Sequence, residues 1–350
     1  MLHIGIDCRF GGTFSGLGSY TRALVTHLLL RSDPVTYTLF VRSLDELWLR
    51  DLPYHGPTPY SLFSTPYTHY SLLEQTSLPF AIRRAHIDLF FSLHFNVPLI
   101  CPVPFMATIH DLILHRYPNE APLWKRMAYR SVMHHTVTHA CALIAVSAFV
   151  SRELREAYGE HVARKTTIIP EGVDARFSRR PDREQEDVLL KYNIRKPFFL
   201  YIGNAKEHKN VRMLIAAFKN LHAFEKTLVL VTSGREADLL ESGQGIRRLS
   251  SLPEEDFPAL YSAAEAFVTA SLYEGFCLPI AEARACGCPI IALNIGVMPE
   301  VLGEDGVLVE ATAEALTRAL RSPPPPSRGG RRLWEMVAEE TARRFLMARS

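Results

Sequence analysis

A rhythm constrains this chain more than any single residue does. Short apolar runs alternate with segments of helical period, and the series runs twice. The first pass takes in "HIGID" (3–7), the helical "SYTRALVTHLLL" (19–30), "TYTLFV" (36–41), "DLFFSL" (88–93) and "FMATIH" (105–110). It goes on with the helical "LWKRMAYRSVMHHTVTHA" (123–140), "ALIAVS" (142–147), the helical "AFVSRELREAYG" (148–159) and "TTIIP" (166–170). The second pass restarts at "PFFLYIG" (197–203) and continues with the helical "NVRMLIAAFKNL" (210–221) and "TLVLVTSG" (227–234). The helical "PEEDFPALYSAA" (253–264), "AFVTAS" (266–271) and "CPIIAL" (288–293) complete it. Apolar strands separated by helices form parallel sheets covered on both faces. The fold class expected is therefore α/β, with two doubly wound, Rossmann-like domains. A length of 350 residues exceeds the usual size of one core and agrees with two. The polar stretch 174–196 reads as an interdomain linker, and the proline-rich "SPPPPSRGG" (322–330) as a second. The expected division is 1–174, 175–325 and a last helical segment, 326–350.

Composition narrows the class. Hydrophobic residues make up 47% and charged residues 22%, as in a globular protein with a packed core. A net charge of +2 gives no reason to expect nucleic acid. No apolar run is long enough to span a bilayer, and "MLHIGID" enters a strand pattern directly, so neither a spanning helix nor a signal peptide is expected. Six irregularly spaced cysteines fit free thiols in a reducing, cytoplasmic compartment. Cys277, Cys286 and Cys288 could be read as a metal cluster, but one C-x-C in the apolar "ACGCPIIA" suits buried thiols better, and no metal is expected.

"SLYEGFCLPIAEARACGCPIIA" (271–292) carries the chemistry. The strand "AFVTAS" ends there, "LYEGFC" is a loop, Pro279 suits a first helical position and Gly287 a helix stop. Glu274 then lies at the carboxyl edge of a strand and Glu282 in the first turn of a helix. In open α/β sheets that edge binds ligands. The N–H groups of Phe276, Cys277 and Leu278 at the helix start suit a phosphate. One carboxylate on each side of it suits hydroxyls, so the ligand fitted is polyol–phosphate–polyol. The plainer alternative is a dipole-favoured Glu282 and a solvated Glu274.

The same stretch resembles the E-x7-E signature of retaining GT-B glycosyltransferases of family 4. "SGLGSYTRAL", "ATIHDLIL", "LIAVSAFVSREL", "IIPEGVDARF", "YIGNAKEHKNVRMLIAAF" and "NIGVMPEVLGEDGVLVE" resemble further segments of that family in its order. The terminal "WEMVAEET" resembles a helix that crosses back to the first domain. The resemblance implies two Rossmann-like domains facing a cleft, with 1–174 on the acceptor side and 175–325 binding a nucleotide sugar. It implies transfer of a hexose to a glycan or lipid-linked acceptor with retention, without metal or cofactor. "GIDCR…GLGSYTR…IHDL…PEGVD" is most like relatives that build surface polysaccharides, which favours mannose from GDP-mannose.

Under that resemblance His110, Glu274 and Lys209 are catalytic: His110 contacts the reacting sugar, and Lys209 neutralises the departing diphosphate. Gly16, Asn204, Lys209, Glu274, Gly275, Phe276, Cys277, Leu278 and Glu282 bind donor. Arg9 and Tyr20 line the first domain's edge and could meet acceptor, as could the segment 52–80. Asp111 is taken as structural and Glu300 as a further donor-side candidate. Two departures stand out. Asn204 occupies a place where relatives often carry arginine, with Lys206 or His208 as compensation, and Cys277 replaces a common glycine. The pair Gly16 and Gly18 lacks the third glycine and the downstream acid of a dinucleotide fingerprint, which disfavours a dehydrogenase. A nucleotide-sugar epimerase and a non-catalytic nucleotide-sugar-binding protein are the other readings. Finally, Trp124, Lys125, Arg126, Met127, Tyr129, Arg130 and Val132 on one helix suit an anionic membrane surface, with His134, His135 and His139 adding charge below neutral pH.

Overall fold

A computed structural model describes residues 1–13, 15–223, 225–241, 243–250 and 252–347. The chain divides into two compact units, Met1–Gly172 with the segment from Arg332 onward, and Val173–Arg331.

Unit 1 holds seven strands: β1 (Leu2–Asp7), β2 (Val35–Val41), β3 (Tyr60–Ser64), β4 (Leu89–Ser92), β5 (Phe105–Ile109), β6 (Ala142–Ala145) and β7 (Thr166–Ile168). They lie in the order β3-β2-β1-β4-β5-β6-β7, every pair parallel. Its helices are α1 (Gly16–Leu29), α2 (Leu72–Arg84), α3 (Ile113–Arg116), α4 (Leu123–His139), α5 (Ala148–Tyr158) and α6 (Glu160–Ala163). Strands β4, β5 and β6 are buried at every position, as continuous apolar runs between two helical layers must be.

Unit 2 begins with α7 (Asp182–Lys191) and β8 (Phe198–Ile202), followed by α8 (Val211–Lys219), β9 (Thr227–Val231), α9 (Arg235–Asp238) and β10 (Ile246–Leu249). Next come α10 (Phe257–Ala263), β11 (Ala266–Thr269), α11 (Leu278–Ala285), β12 (Ile290–Leu293), α12 (Met298–Leu302), β13 (Val307–Val309) and α13 (Ala313–Arg321). Its six strands run β10-β9-β8-β11-β12-β13, again all parallel. The last helix, α14 (Trp334–Met347), packs in unit 1, where Val337, Ala338 and Phe345 join the core of Ile4, Ile6, Leu24 and Leu28. In unit 2, Phe199, Leu214, Phe218, Val268 and Leu316 share one core.

The α/β class expected from the rhythm is what the sheets show. The stretch 174–196, expected as a linker, is instead part of unit 2 and contains α7. That helix buries Gln185 and Leu189 and packs on α10. Its narrow apolar face, Val188 and Leu189 amid charge, hides the helix from an apolar count.

Strand order locates the binding edges. In unit 1 the order reverses between β1 and β4; in unit 2 it reverses between β8 and β11. Loops leaving adjacent strands there turn to opposite faces and leave a crevice at the carboxyl ends.

Candidate active site

In unit 2 the two loops at the reversal point are those after β8 and β11. The first carries Asn204 and Lys209, the second Glu274 to Cys277. They are joined by hydrogen bonds. The Leu272 N–H donates to the His208 carbonyl at 2.7 Å, and the Ser271 hydroxyl donates to the same carbonyl at 3.4 Å. Across this seam the Lys209 ammonium donates to Glu274 Oε1 in an ion pair, each side chain 17% exposed. Two residues 65 apart, expected separately as catalytic, are thus in direct contact. A half-buried ammonium beside a carboxylate at a strand edge can neutralise an anionic ligand while the carboxylate accepts from hydroxyls.

Gly203 opens the β8 loop at φ 154°, where a Cβ would lie 2.9 Å from the Tyr201 hydroxyl. That hydroxyl donates to the Asn204 carbonyl at 2.6 Å, and Asn204 Oδ1 accepts from the Lys206 N–H at 3.3 Å. Asn204 therefore shapes its own loop, and its side chain is exposed at the edge.

Helix α11 starts at Leu278 with Pro279 second, and Cys277 is its cap in the left-handed region at φ 69°. A side chain there is strained and a glycine is not. The thiol is buried, and burial, with the Glu274 charge, raises its pKa. Among the described residues, no hydrogen bond is formed by the N–H groups of Phe276, Cys277 or Leu278, which open this helix. Glu282, expected in the first turn, is the fifth helical residue and opens the second turn. Pro279 at the second position rather than the first shifts the start by one residue. Glu282 Oε2 accepts from the Tyr261 hydroxyl at 3.0 Å, so a buried tyrosine orients the carboxylate. Glu300 lies in the first turn of α12, exposed. The three cysteines weighed as a metal cluster are buried free thiols.

In unit 1, His110 follows β5. Its ring is edge-on to Tyr20 at 4.5 Å. Nδ1 lies 3.1 Å from Glu171 Oε1 and Nε2 lies 2.9 Å from the Leu93 carbonyl. Both ring nitrogens thus face acceptors, an arrangement only the imidazolium satisfies fully. Burial lowers the pKa of His110, but the hydrogen bond and charge of Glu171 outweigh it, and the net shift is upward. Glu171 was missed in the sequence, although it follows a strand at a carboxyl edge just as His110 does. Asp111 is a cap: its Oδ1 accepts from the Ile113 N–H at 2.9 Å.

Gly16 and Gly18, alike in the sequence, differ in place. Gly16 is exposed at the first position of α1 with nothing within 4 Å of a Cβ, whereas a Cβ on Gly18 would lie 2.1 Å from the Thr13 carbonyl oxygen. Gly18 is required by packing. Gly16 leaves room for a ligand.

Arg9 and Tyr20, expected at the surface, are 0% and 1% exposed. Tyr20 packs between His110 and Trp334. Arg9 donates from Nε to Asp7 Oδ1 at 2.8 Å and from Nη2 to Asp7 Oδ2 and Glu74 Oε1, each at 2.7 Å. As they stand, both side chains build the wall of unit 1 rather than its surface.

Known proteins resemble this chain in both units. Residues 14–177 match the model of Glycosyltransferase Family 4, and residues 196–322 match Glycosyl transferases group 1. O-antigen chain mannosyltransferase B of Escherichia coli is 31% identical over 217 residues, 59% of this chain and 57% of that protein. The chain therefore matches little more than half the length of that relative. Sucrose-phosphate synthase of Thermosynechococcus elongatus superposes with a TM-score of 0.75 at 20% identity over 100% of both chains. Anabaena HepE, solved in complex with UDP-glucose, superposes with a TM-score of 0.71 at 17% identity, covering 99% of this chain and 100% of its own. Each unit therefore matches a glycosyltransferase model, and the two parallel sheets together have the GT-B fold.

Proposed function

We propose that the protein transfers a hexosyl group, mannose in the first instance, from a nucleotide-sugar donor to a glycan or lipid-linked acceptor in surface polysaccharide or glycolipid synthesis. The observation that carries this reading is the Lys209–Glu274 pair at the reversal point of unit 2, beside the N–H groups that open α11. A diphosphate fits the ammonium and those N–H groups, and hydroxyls fit Glu274 and Glu282. Mannose is favoured by the mannosyltransferase relative from Escherichia coli. The base of the donor rests on the sequence resemblance, which favours guanine, whereas the HepE complex contains UDP-glucose.

In this reading the anomeric C–O bond to the diphosphate breaks while the acceptor oxygen bonds to the same face, so the configuration is retained. The acceptor proton passes to the departing phosphate oxygen. Lys209 and the α11 N–H groups hold the charge that develops on that phosphate. Glu274 and Glu282 bind and orient; they are not the acid and base of a glycosidase, which flank one bond from opposite sides. The roles the resemblance gives Gly16 and His110, contact with phosphate and with sugar, belong to the same proposal, as does peripheral attachment to an anionic membrane face. Catalysis then needs neither metal nor cofactor.

A panel of nucleotide sugars tests it. GDP should raise the melting temperature more than UDP or ADP, and GDP-mannose should be hydrolysed slowly without acceptor and consumed faster with it. Isomerised donor would mean an epimerase instead, and binding without turnover a non-catalytic protein.

A further inference from the structure

Two paths lead from His110 back to a single helix, α4. The first runs through the loop after β4. The Leu93 carbonyl lies 2.9 Å from His110 Nε2. Two residues on, the Phe95 carbonyl accepts from the Thr136 hydroxyl of α4 at 2.7 Å, and the Phe95 ring meets the Tyr129 ring of α4 edge-on at 5.0 Å. Inside the loop the Ser92 hydroxyl donates to the His94 carbonyl at 2.6 Å, which ties its backbone together. Thr136 and Tyr129 are both buried. Helix α4 therefore holds this loop by backbone and by side chain.

The second path follows the chain after His110. Asp111 caps α3, and His115 within α3 stands between two tyrosines. Its Nδ1 lies 3.0 Å from the Tyr129 hydroxyl, and its Nε2 lies 3.0 Å from the Tyr158 hydroxyl of α5. Burial and the Arg130 charge lower the pKa of His115. A neutral imidazole there accepts from one hydroxyl and donates to the other. Arg116, next in the chain, donates from Nε to Glu153 Oε1 of α5 at 2.7 Å. The stretch that leaves His110 is thus tied to α5 and, through Tyr129, to α4. Tyr129 is where the paths meet: its ring holds one side of His110 and its hydroxyl the other.

His110 needs such a hold because of what faces its two nitrogens. Glu171 is a side chain and can turn toward Nδ1, but the acceptor for Nε2 is a backbone carbonyl. A carbonyl has no rotamers, so only the placement of its loop aims it. Interiors pack densely enough that a shift of one ring is passed to the next. We propose that Tyr129 is a positioning residue for the transfer reaction: its ring steadies loop 93–96, its hydroxyl steadies the segment 111–116, and together they keep His110 aimed, with Thr136 as the second hold on the loop. The effect on turnover rests on the transferase reading above; the placement of His110 does not. The plainer alternative is a core tyrosine whose hydroxyl has found a partner, which would affect stability alone.

The test uses the full chain and two readouts. Tyr129→Phe keeps the ring and loses the hydroxyl; Thr136→Val keeps the shape and loses the donor. Turnover is followed as hydrolysis of whichever nucleotide sugar of the panel above the wild type consumes. Each variant should lower kcat about tenfold and leave the donor KM alone, a misplacement of about 1 Å being enough for a loss of about 10²-fold. The second readout is the ¹⁵N spectrum of the imidazoles, with the His110 signals assigned by their loss in His110→Gln. Glu171 and Asp111 favour the charged ring, while Tyr20 and His94 pack against it and burial keeps His94 neutral. Moving the Leu93 carbonyl away removes an acceptor from the imidazolium, so the His110 midpoint should fall by about half a unit or more in both variants. Variants that only melt earlier, with the midpoint unmoved and kcat as in wild type, would make Tyr129 ordinary packing and overturn the proposal. So would a His110→Gln protein without turnover beside a Tyr129→Phe protein with full turnover. If His110→Gln turns over as wild type does, or no nucleotide sugar is consumed at all, the catalytic reading of His110 falls instead, and the midpoint alone decides whether Tyr129 places the ring.

Discussion

At the scale of single residues, the contact between Lys209 and Glu274 makes the sharpest demand. If the ammonium holds the leaving diphosphate, Lys209→Ala should lower kcat by about 10²-fold or more, the range for a lost preorganised charge. Rapid-quench measurement of one turnover checks it; an unchanged kcat with a raised KM would mean uniform binding of ground and transition states. Glu282→Ala removes a carboxylate that Tyr261 orients. It should weaken donor binding by about 1.5–3 kcal/mol, the value of a hydrogen bond to a charged group, and calorimetry with the nucleotide sugar would read it. His110 gives a prediction in pH. Burial opposes its charge, Glu171 more than offsets that, and the folded pKa lies above the ordinary 6.5. A raised histidine pKa contributes stability that is fully present below the unfolded value and is lost as pH rises through the folded one. Glu171→Gln should therefore lower the melting temperature most near pH 5.5 and least near pH 9. A gap of equal size at both pH values would show that His110 is neutral throughout.

Elements explain why residues of one type differ in consequence. Ser15 caps α1, its hydroxyl accepting from the Gly18 N–H at 3.1 Å, and the chain then turns tightly enough to press Gly18 on Thr13. Gly18→Ala must move backbone and should cost about 1–3 kcal/mol, as overpacking does. Gly16→Ala meets nothing and should leave stability unchanged while weakening donor binding if a phosphate approaches there. Denaturant titration of both variants separates packing from function. The G-x-G in the sequence does not contain that distinction, because it depends on where Thr13 folds. Much else was legible. Strands buried on both faces announce themselves as apolar runs, and two chemical loops followed from asking what leaves each strand's carboxyl end. What escaped was amphipathic or short. β3 is fully buried at no position, β10 and β13 are no more than half-buried throughout, and α7 shows too little apolar surface to be counted. Glu171 escaped for a different reason: its partner lies 61 residues away, and only the sheet brings them together.

On the scale of the whole molecule, the open question is what the exposed apolar side chains of unit 1 are for. Among the described residues, no helix is long and apolar enough to cross a membrane. Yet α4 exposes Trp124 and Met127 at 67% and 62%, while Tyr129 and Val132, expected with them to suit a membrane surface, are 4% and 8% exposed and turn to the core. Leu123 is exposed beside them, and on α2 so are Leu72 and Leu73. The two elements share a neighbour: Tyr70, just ahead of α2, and Tyr129 of α4 both pack near Phe95, at 6.1 and 5.0 Å. Lys125 and Arg130 are exposed on α4 with this apolar surface, and Arg126 is half-buried. Aromatic and apolar groups flanked by cations fit an anionic bilayer surface, each basic side chain near it adding about 1 kcal/mol. Two exposed cations and one partly exposed give reversible attachment of about 2–3 kcal/mol beyond the apolar term. Acid should add less than three histidines suggest. His135 has its pKa lowered by burial and by His139 and His134, so it charges only below its ordinary range. Co-sedimentation at low salt should find the protein on phosphatidylglycerol-rich vesicles and not on phosphatidylcholine ones. Lys125→Glu with Arg130→Glu should abolish that binding, and Trp124→Ala with Met127→Ala should weaken it severalfold. A charge-reversed protein that sediments as wild type does would show that α4 is not the contact, and the exposed Trp124 would then need another partner.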